Sequence, residues 1–154
     1  NPEYDPSGSG YQVLQSKLAI GSGELTGRGL YQGPQTQLNI LPAKETDFIF
    51  AVTGEELGFI GCVVAICLLF FIIFRCIYIA REAKSEYGRY ICIGVAAMFL
   101  FQVFENVGMC MGILPVTGIP LPFFSAGGSS ILTSMIAIGL VTNVWIRRKT
   151  LNFA

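Results

Sequence analysis

Three apolar runs of membrane length fill the C-terminal part of the chain, and a polar, glycine-rich segment precedes them. Leu57 to Ala80 is broken only by Arg75 near one end. Tyr90 to Leu114 carries Gln102, Glu105 and Asn106 within it, and Gly128 to Ile146 stops at Arg147-Arg148-Lys149. A bilayer core about 30 Å thick is crossed by about 20 apolar residues of helix. The pattern therefore predicts transmembrane helices over about 57–80, 90–111 and 128–146. Three crossings put the N-terminal segment and the last connection, residues 112–127, on one side of the membrane.

Polar and small residues inside these runs are not scattered. Counting from Asp47, small residues recur at Ala51, Gly54, Gly58, Gly61 and Ala65, in steps of three and four that mark one helix face. Such a stripe lets a neighbouring helix come close. Asp47 then stands at the end of a packed seam and points into the bundle. The alternative is that Asp47 or Thr46 caps the helix N-terminus, and one residue can do both. In the second run Gln102, Glu105 and Asn106 share a face, extended by Met98 and Met109. A carboxylate near a helix centre costs roughly 2.5–3.5 kcal/mol on insertion scales, so these groups face either a cavity or a hydrogen-bonding neighbour helix. Glu55 and Glu56 read as interfacial and solvated.

The polar segment has its own order. Tyr11 to Ile20 places apolar residues at 11, 14 and 18, with 13 and 20 nearby, the pattern of a short amphipathic helix lying on a membrane. Gly21-Ser22-Gly23-Glu24-Leu25-Thr26-Gly27-Arg28-Gly29 follows. Glycines this dense serve unusual backbone angles or close approach. The run is either a chain of tight turns or a backbone cradle for phosphate with Arg28 as its cation. The connection Leu114-Pro115-Val116-Thr117-Gly118-Ile119-Pro120-Leu121-Pro122-Phe123-Phe124 has no charge and is too apolar for a freely solvated loop. It is expected to fold back on the bundle or touch lipid, since irregular backbone at membrane depth has to be covered. Ser125-Ala126-Gly127-Gly128-Ser129-Ser130 opens the third run, where Ser130, Ser134 and Ala137 form another small seam.

Composition agrees with this picture. Of the 154 residues, 53% are hydrophobic and 13% charged, against about a quarter charged in soluble chains. The chain starts without Met and shows no signal-peptide pattern, which suggests the C-terminal piece of a longer membrane protein. Arg75, Arg81, Lys84, Arg89, Arg147, Arg148 and Lys149 gather at one face, and Lys17, Arg28 and Lys44 are spread along the other. The positive-inside rule then puts residues 1–56 outside and the C-terminus in the cytoplasm. Cys62, Cys67, Cys76, Cys92 and Cys110 lie in or beside the apolar runs without metal-ligand spacing, and there is no His. They read as small buried hydrophobes, and no metal ligands are assigned. A net charge of zero gives no pointer to nucleic acid, which is not expected as a partner.

Three motifs, in order, carry a resemblance. They are Gly-Tyr-Gln…Gln-Ser-Lys with its glycine-rich continuation, Thr-Asp-Phe-Ile-Phe-Ala…Glu-Glu-Leu-Gly, and Leu-Pro-Val-Thr-Gly-Ile-Pro-Leu-Pro-Phe…Gly-Gly-Ser-Ser. Together they resemble the C-terminal part of the shape, elongation, division and sporulation family, that is RodA, FtsW and SpoVE. Gln35-Thr36-Gln37-Leu38 is more like RodA than FtsW. The resemblance covers nearly the whole chain. It implies an all-α, polytopic membrane bundle of ten helices, of which this chain would hold a large extracytoplasmic loop (1–46) and the last three helices (within 47–154). Ala43 stands where the family often has Glu, Glu45 where it has His, and Ala126 where it commonly has Tyr.

The resemblance further implies a multi-pass protein of the bacterial plasma membrane. Its function would be to polymerise lipid II into glycan during cell-wall elongation, beside a class B penicillin-binding protein that crosslinks the strands. Asp47 matches the family's essential acid and would be the catalytic base. Lys17 and Arg28 are candidates for the leaving pyrophosphate, and Gln35, Glu105, Ser129 and Ser130 for further substrate contacts. No definite cofactor is implied; a divalent cation is admissible, although no cluster offers it a site. Two rival readings stay open. One is a flippase for the lipid-linked precursor using Glu105 and the polar faces. The other is a non-catalytic scaffold for the penicillin-binding protein.

Overall fold

The computed structural model describes residues 9–30 and 47–148. Gln35, Lys44, Thr46 and Lys149, together with the departures at Ala43 and Glu45, lie outside the described residues. The described residues form four helices: α1 (Ser9–Ser22), α2 (Ile49–Glu82), α3 (Glu86–Cys110) and α4 (Gly128–Ile146). The last three are long and apolar enough to cross a membrane. α2 and α3 run antiparallel through the short connection 83–85, and α4 packs mainly on α3 through Ser134, Ala137 and Val141. Large side chains such as Phe71, Phe74, Phe104 and Leu132 are exposed. In water such a surface would aggregate; in lipid it is the expected exterior.

α2 differs from the expected span in an informative way. It starts at Ile49, eight residues before the predicted boundary, and breaks at Gly58, whose φ of 68° and ψ of −165° are not helical. These angles fall in a region essentially restricted to glycine. From Phe59 to Glu82 the helix is about 36 Å long at 1.5 Å per residue, which matches a membrane core. The small-residue seam holds at Ala51, Gly54, Gly58 and Ala65, which are buried. Gly61 is only half-buried, and a Cβ there would strike Leu57 of its own chain. It lies at the break, and Cys62 takes the buried position beside it.

The glycine-rich run explains how the break is tolerated. In a continuous helix the amides of Phe59 and Ile60 would bond the carbonyls of Glu55 and Glu56. Here Phe59 N–H donates to Glu24 O (2.9 Å) and Ile60 N–H to Leu25 O (3.2 Å). The vacated carbonyls of Glu55 and Glu56 accept from Arg28 N–H (3.0 Å) and Gly29 N–H (3.1 Å). Two severed helix bonds are thus replaced by four between segments, so no broken backbone group is stranded in an apolar setting. Gly23 and Gly27 permit the approach, because a Cβ on either would collide with α2 backbone.

α1 packs against the first part of α2 and the end of α3. Its buried face is Gly10, Val13, Ser16 and Ala19. Tyr11, Leu14 and Leu18, the apolar residues of the expected amphipathic stripe, are exposed. Small residues win the inner face because α1 must come close enough for the Ser16 hydroxyl to reach Cys110 O (2.9 Å).

Candidate functional site

Asp47 sits in the turn just ahead of α2, between a fully buried Phe48 and the loop that follows α3. The N-cap of α2 is Phe48, and among the described residues no side chain caps this helix. The capping role weighed for Asp47 is therefore not the one it has. Instead its peptide carbonyl accepts a hydrogen bond from Asn106 Nδ2 (2.9 Å). The second proton of the same amide goes to Ile119 O (2.8 Å). Asn106 is 0% exposed, so both bonds form where water cannot compete.

Three consecutive loop residues meet three polar groups. Thr117 donates its hydroxyl to Glu105 Oε1 (3.1 Å). Gly118, at φ 68°, lies beside the Asp47 carboxylate, such that a Cβ there would be 3.5 Å from Oδ2. Ile119 supplies the carbonyl that Asn106 holds. The loop also folds back as its apolar sequence requires. Leu121 and Ser125 are buried, and the Leu121 amide donates to the Ser125 hydroxyl (2.7 Å). Phe123, forced to φ 64°, packs edge-on against Phe99 with ring centres 5.5 Å apart.

The remaining candidates surround this centre to different degrees. The Lys17 side chain passes over Gly112 at the same end of α3, where helix carbonyls end and a cation is favoured. Arg28 donates Nε to Ser22 O (3.0 Å) and its amide to Glu55 O. It borders a polar hollow of about 420 Å³ that includes Glu24 and Thr26. Several amides of the supposed phosphate cradle are occupied, since Gly27, Arg28 and Gly29 donate to Gly23, Glu55 and Glu56. Ser129 is exposed at the start of α4, whereas the Ser130 hydroxyl is turned back onto Gly127 O (2.8 Å). Among the described residues no three His, Cys, Asp or Glu side chains gather to hold a metal ion.

Sequence reasoning missed two features. Glu55, read as solvated, is 0% exposed and lies against the glycine-rich run; four residues after Ala51 and beside Gly54, it shares the buried face of the small-residue seam. Asn106 was visible as a polar residue in an apolar run, but not as the group that holds Asp47.

The FtsW/RodA/SpoVE family model, described as cell cycle protein, matches residues 1–150. The chain belongs to this family. It is similar to the peptidoglycan glycosyltransferase MrdB of Escherichia coli K12, with 45% identity over 99% of this chain and 41% of that protein. It is also 45% identical to the peptidoglycan glycosyltransferase RodA of Treponema pallidum, covering 96% of this chain and 34% of the relative. The chain thus spans less than half the length of the curated relatives it matches. Among solved structures, a chain of a peptidoglycan synthase complex described as coordinating polymerization and crosslinking aligns over 97% of this chain and 40% of its own. Its TM-score is 0.79 at 32% identity. An Asp-to-Ala mutant of the rod shape determining protein RodA of Thermus thermophilus aligns over 92% of this chain and 50% of its own, with TM-score 0.65 and 30% identity. The FtsW/RodA/SpoVE chain is accordingly all-helical and part of a multi-pass membrane protein.

Proposed function

We propose that the full-length protein is a peptidoglycan glycosyltransferase that polymerises lipid II. Asp47 would be its general base, at the extracytoplasmic membrane boundary. The observation that carries this reading is the Asn106 bond to the Asp47 carbonyl. It fixes the backbone of Asp47 while its carboxylate projects beside Gly118, free of any capping duty. The acceptor hydroxyl must lose a proton as it attacks the donor's anomeric carbon and undecaprenyl pyrophosphate leaves. A positioned carboxylate taking that proton is worth typically a factor of about 10²–10⁴. The cation distribution supports the orientation, with residues 1–56 outside and the C-terminus inside.

Lys17 and Arg28 are the cations on the Asp47 side suited to the departing pyrophosphate, with Gln35 and Ser129 as further substrate contacts. Glu105 and Ser130 support the loop that shapes the site, since Glu105 Oε1 and the Ser130 hydroxyl are already engaged. A class B penicillin-binding protein is the partner proposed, in keeping with the synthase complex that this chain resembles. The deciding experiment is glycan-strand formation from lipid II by the purified full-length protein with that partner. Absence of glycan, with transbilayer movement of lipid II instead, would favour the flippase.

A further inference from the structure

The end of the bundle opposite Asp47 holds a cavity that the glycan chemistry does not use. It measures about 280 Å³ and lies between the start of α3 and the end of α4. Lys84, Arg147 and Arg148 contribute cations to its lining, Ile91 and Val144 contribute an apolar wall, and no carboxylate lines it among the described residues. Arg148 is fixed in place by an ion pair with Glu82 and by lying over the Trp145 ring. Gly88 keeps the two helices close, because a Cβ there would come within 3.1 Å of Val144 Cγ1.

Backbone polarity adds to the charge. α3 begins without a side-chain cap, and Arg89 N–H to Ser85 O (3.0 Å) is the bond that closes its first turn. The amides of Glu86, Tyr87 and Gly88 therefore have no acceptor within the helix, and the positive end of the helix dipole faces this side. Cations above an apolar wall, at the tips of membrane-length helices, match an amphiphile with a negative head.

The geometry points to a binding site for an anionic phospholipid. Its phosphodiester sits among Lys84, Arg147 and Arg148, and an acyl chain runs down Ile91 and Val144. Basic pockets between helices at a membrane surface take acidic headgroups for this reason. A soluble anion would gain the charge but not the wall, and a zwitterionic lipid would gain the wall but not the charge. Glu82 offsets part of Arg148's charge, which makes Arg147 the more informative residue to neutralise. The inference is independent of the catalytic reading.

Native mass spectrometry of the purified full-length protein, titrated with phosphatidylglycerol, phosphatidylcholine or inorganic phosphate, tests it. Phosphatidylglycerol should bind in preference to phosphatidylcholine, and matched inorganic phosphate should not displace it. Arg147→Gln should weaken phosphatidylglycerol binding about fivefold, and Lys84→Gln with Arg147→Gln should weaken it further. Arg81→Gln, at the same end but outside the cavity, should leave it unchanged. Elution of each variant at the parental position shows that it is folded. Equal affinity for the two lipids, full displacement by phosphate, or an Arg81→Gln loss as large as that of Arg147→Gln would overturn the proposal.

Discussion

Asn106 grips Asp47 by the backbone: its Nδ2 lies 2.9 Å from the Asp47 carbonyl and 2.8 Å from that of Ile119. One side-chain amide thereby ties together the turn before α2, the buried face of α3 and the loop leading to α4. Because the bond goes to the peptide rather than the carboxylate, the acid is located without being neutralised. A buried amide with both protons used is rigid in a way that an exposed loop contact is not.

Replacing Asn106 with Leu keeps the volume similar and removes both donors. Two carbonyls then lose their partner in a buried setting, at about 1–3 kcal/mol for each such group. The full-length variant should insert with a lowered thermal midpoint. The lipid II polymerisation proposed for it should fall by about a hundredfold, the typical cost of misplacing a reacting group by an ångström. Parental polymerisation with a lowered midpoint would show that Asp47 is positioned without this clamp.

Gly58 offers a test of the helix break. Its dihedral angles are essentially closed to other residues, and a Cβ would run into Leu25 and the amide of Gly27. Gly58→Ala should cost at least the 1–3 kcal/mol typical of such backbone strain and also loosen the four bonds to the glycine-rich run. Limited proteolysis of the membrane-inserted full-length protein should then cut within residues 23–29 faster than in the parent. Gly61→Ala, half-buried beside its own Leu57, should be milder. Equal sensitivity of the two variants would mean that the break does not depend on the left-handed glycine.

The spans were legible because membrane helices are written in long apolar runs, and α4 coincides with its predicted boundaries. The α2 start was not legible. Ile49 to Leu57 is less uniformly apolar, and the helix there is held by α1 and the glycine-rich run rather than by its own composition. Asp47 could be singled out from its position at the head of a small-residue stripe. Its partner Asn106 is 59 residues away, and no local pattern encodes a pairing at that distance. The helix of α1 was legible from its pattern, with Tyr11, Leu14 and Leu18 on its exposed side. Its protein-facing side was not, because close packing selects Ser16 and Ala19 by size rather than by hydrophobicity.

The charge distribution makes orientation directly measurable. In a full-length protein lacking its native cysteines, a thiol placed at Ser22 or Thr117 should react with an impermeant reagent from outside the cell. One at Ser85, in the connection between α2 and α3, should react only after the membrane is breached. Reaction at Ser85 in intact cells would reverse the topology and move Asp47 to the wrong side for extracellular polymerisation.

Asp47→Asn addresses the chemistry itself. The substitution keeps the size of the side chain and the backbone carbonyl that Asn106 holds, but removes the negative charge and the basicity. Because Asp47 does not cap α2, the variant should insert and fold like the parent and still bind the proposed penicillin-binding partner. If Asp47 accepts the proton from the attacking hydroxyl, glycan formation from lipid II should drop by about 10²–10⁴, the range that positioned general bases contribute. A scaffold role predicts the opposite, since Asn leaves the surface and the fold in place. A flippase would show lost lipid II movement and no polymerisation by either form. Near-parental glycan synthesis by a folded Asp47→Asn protein would remove Asp47 from the reaction, and with it the reason for the Asn106 clamp.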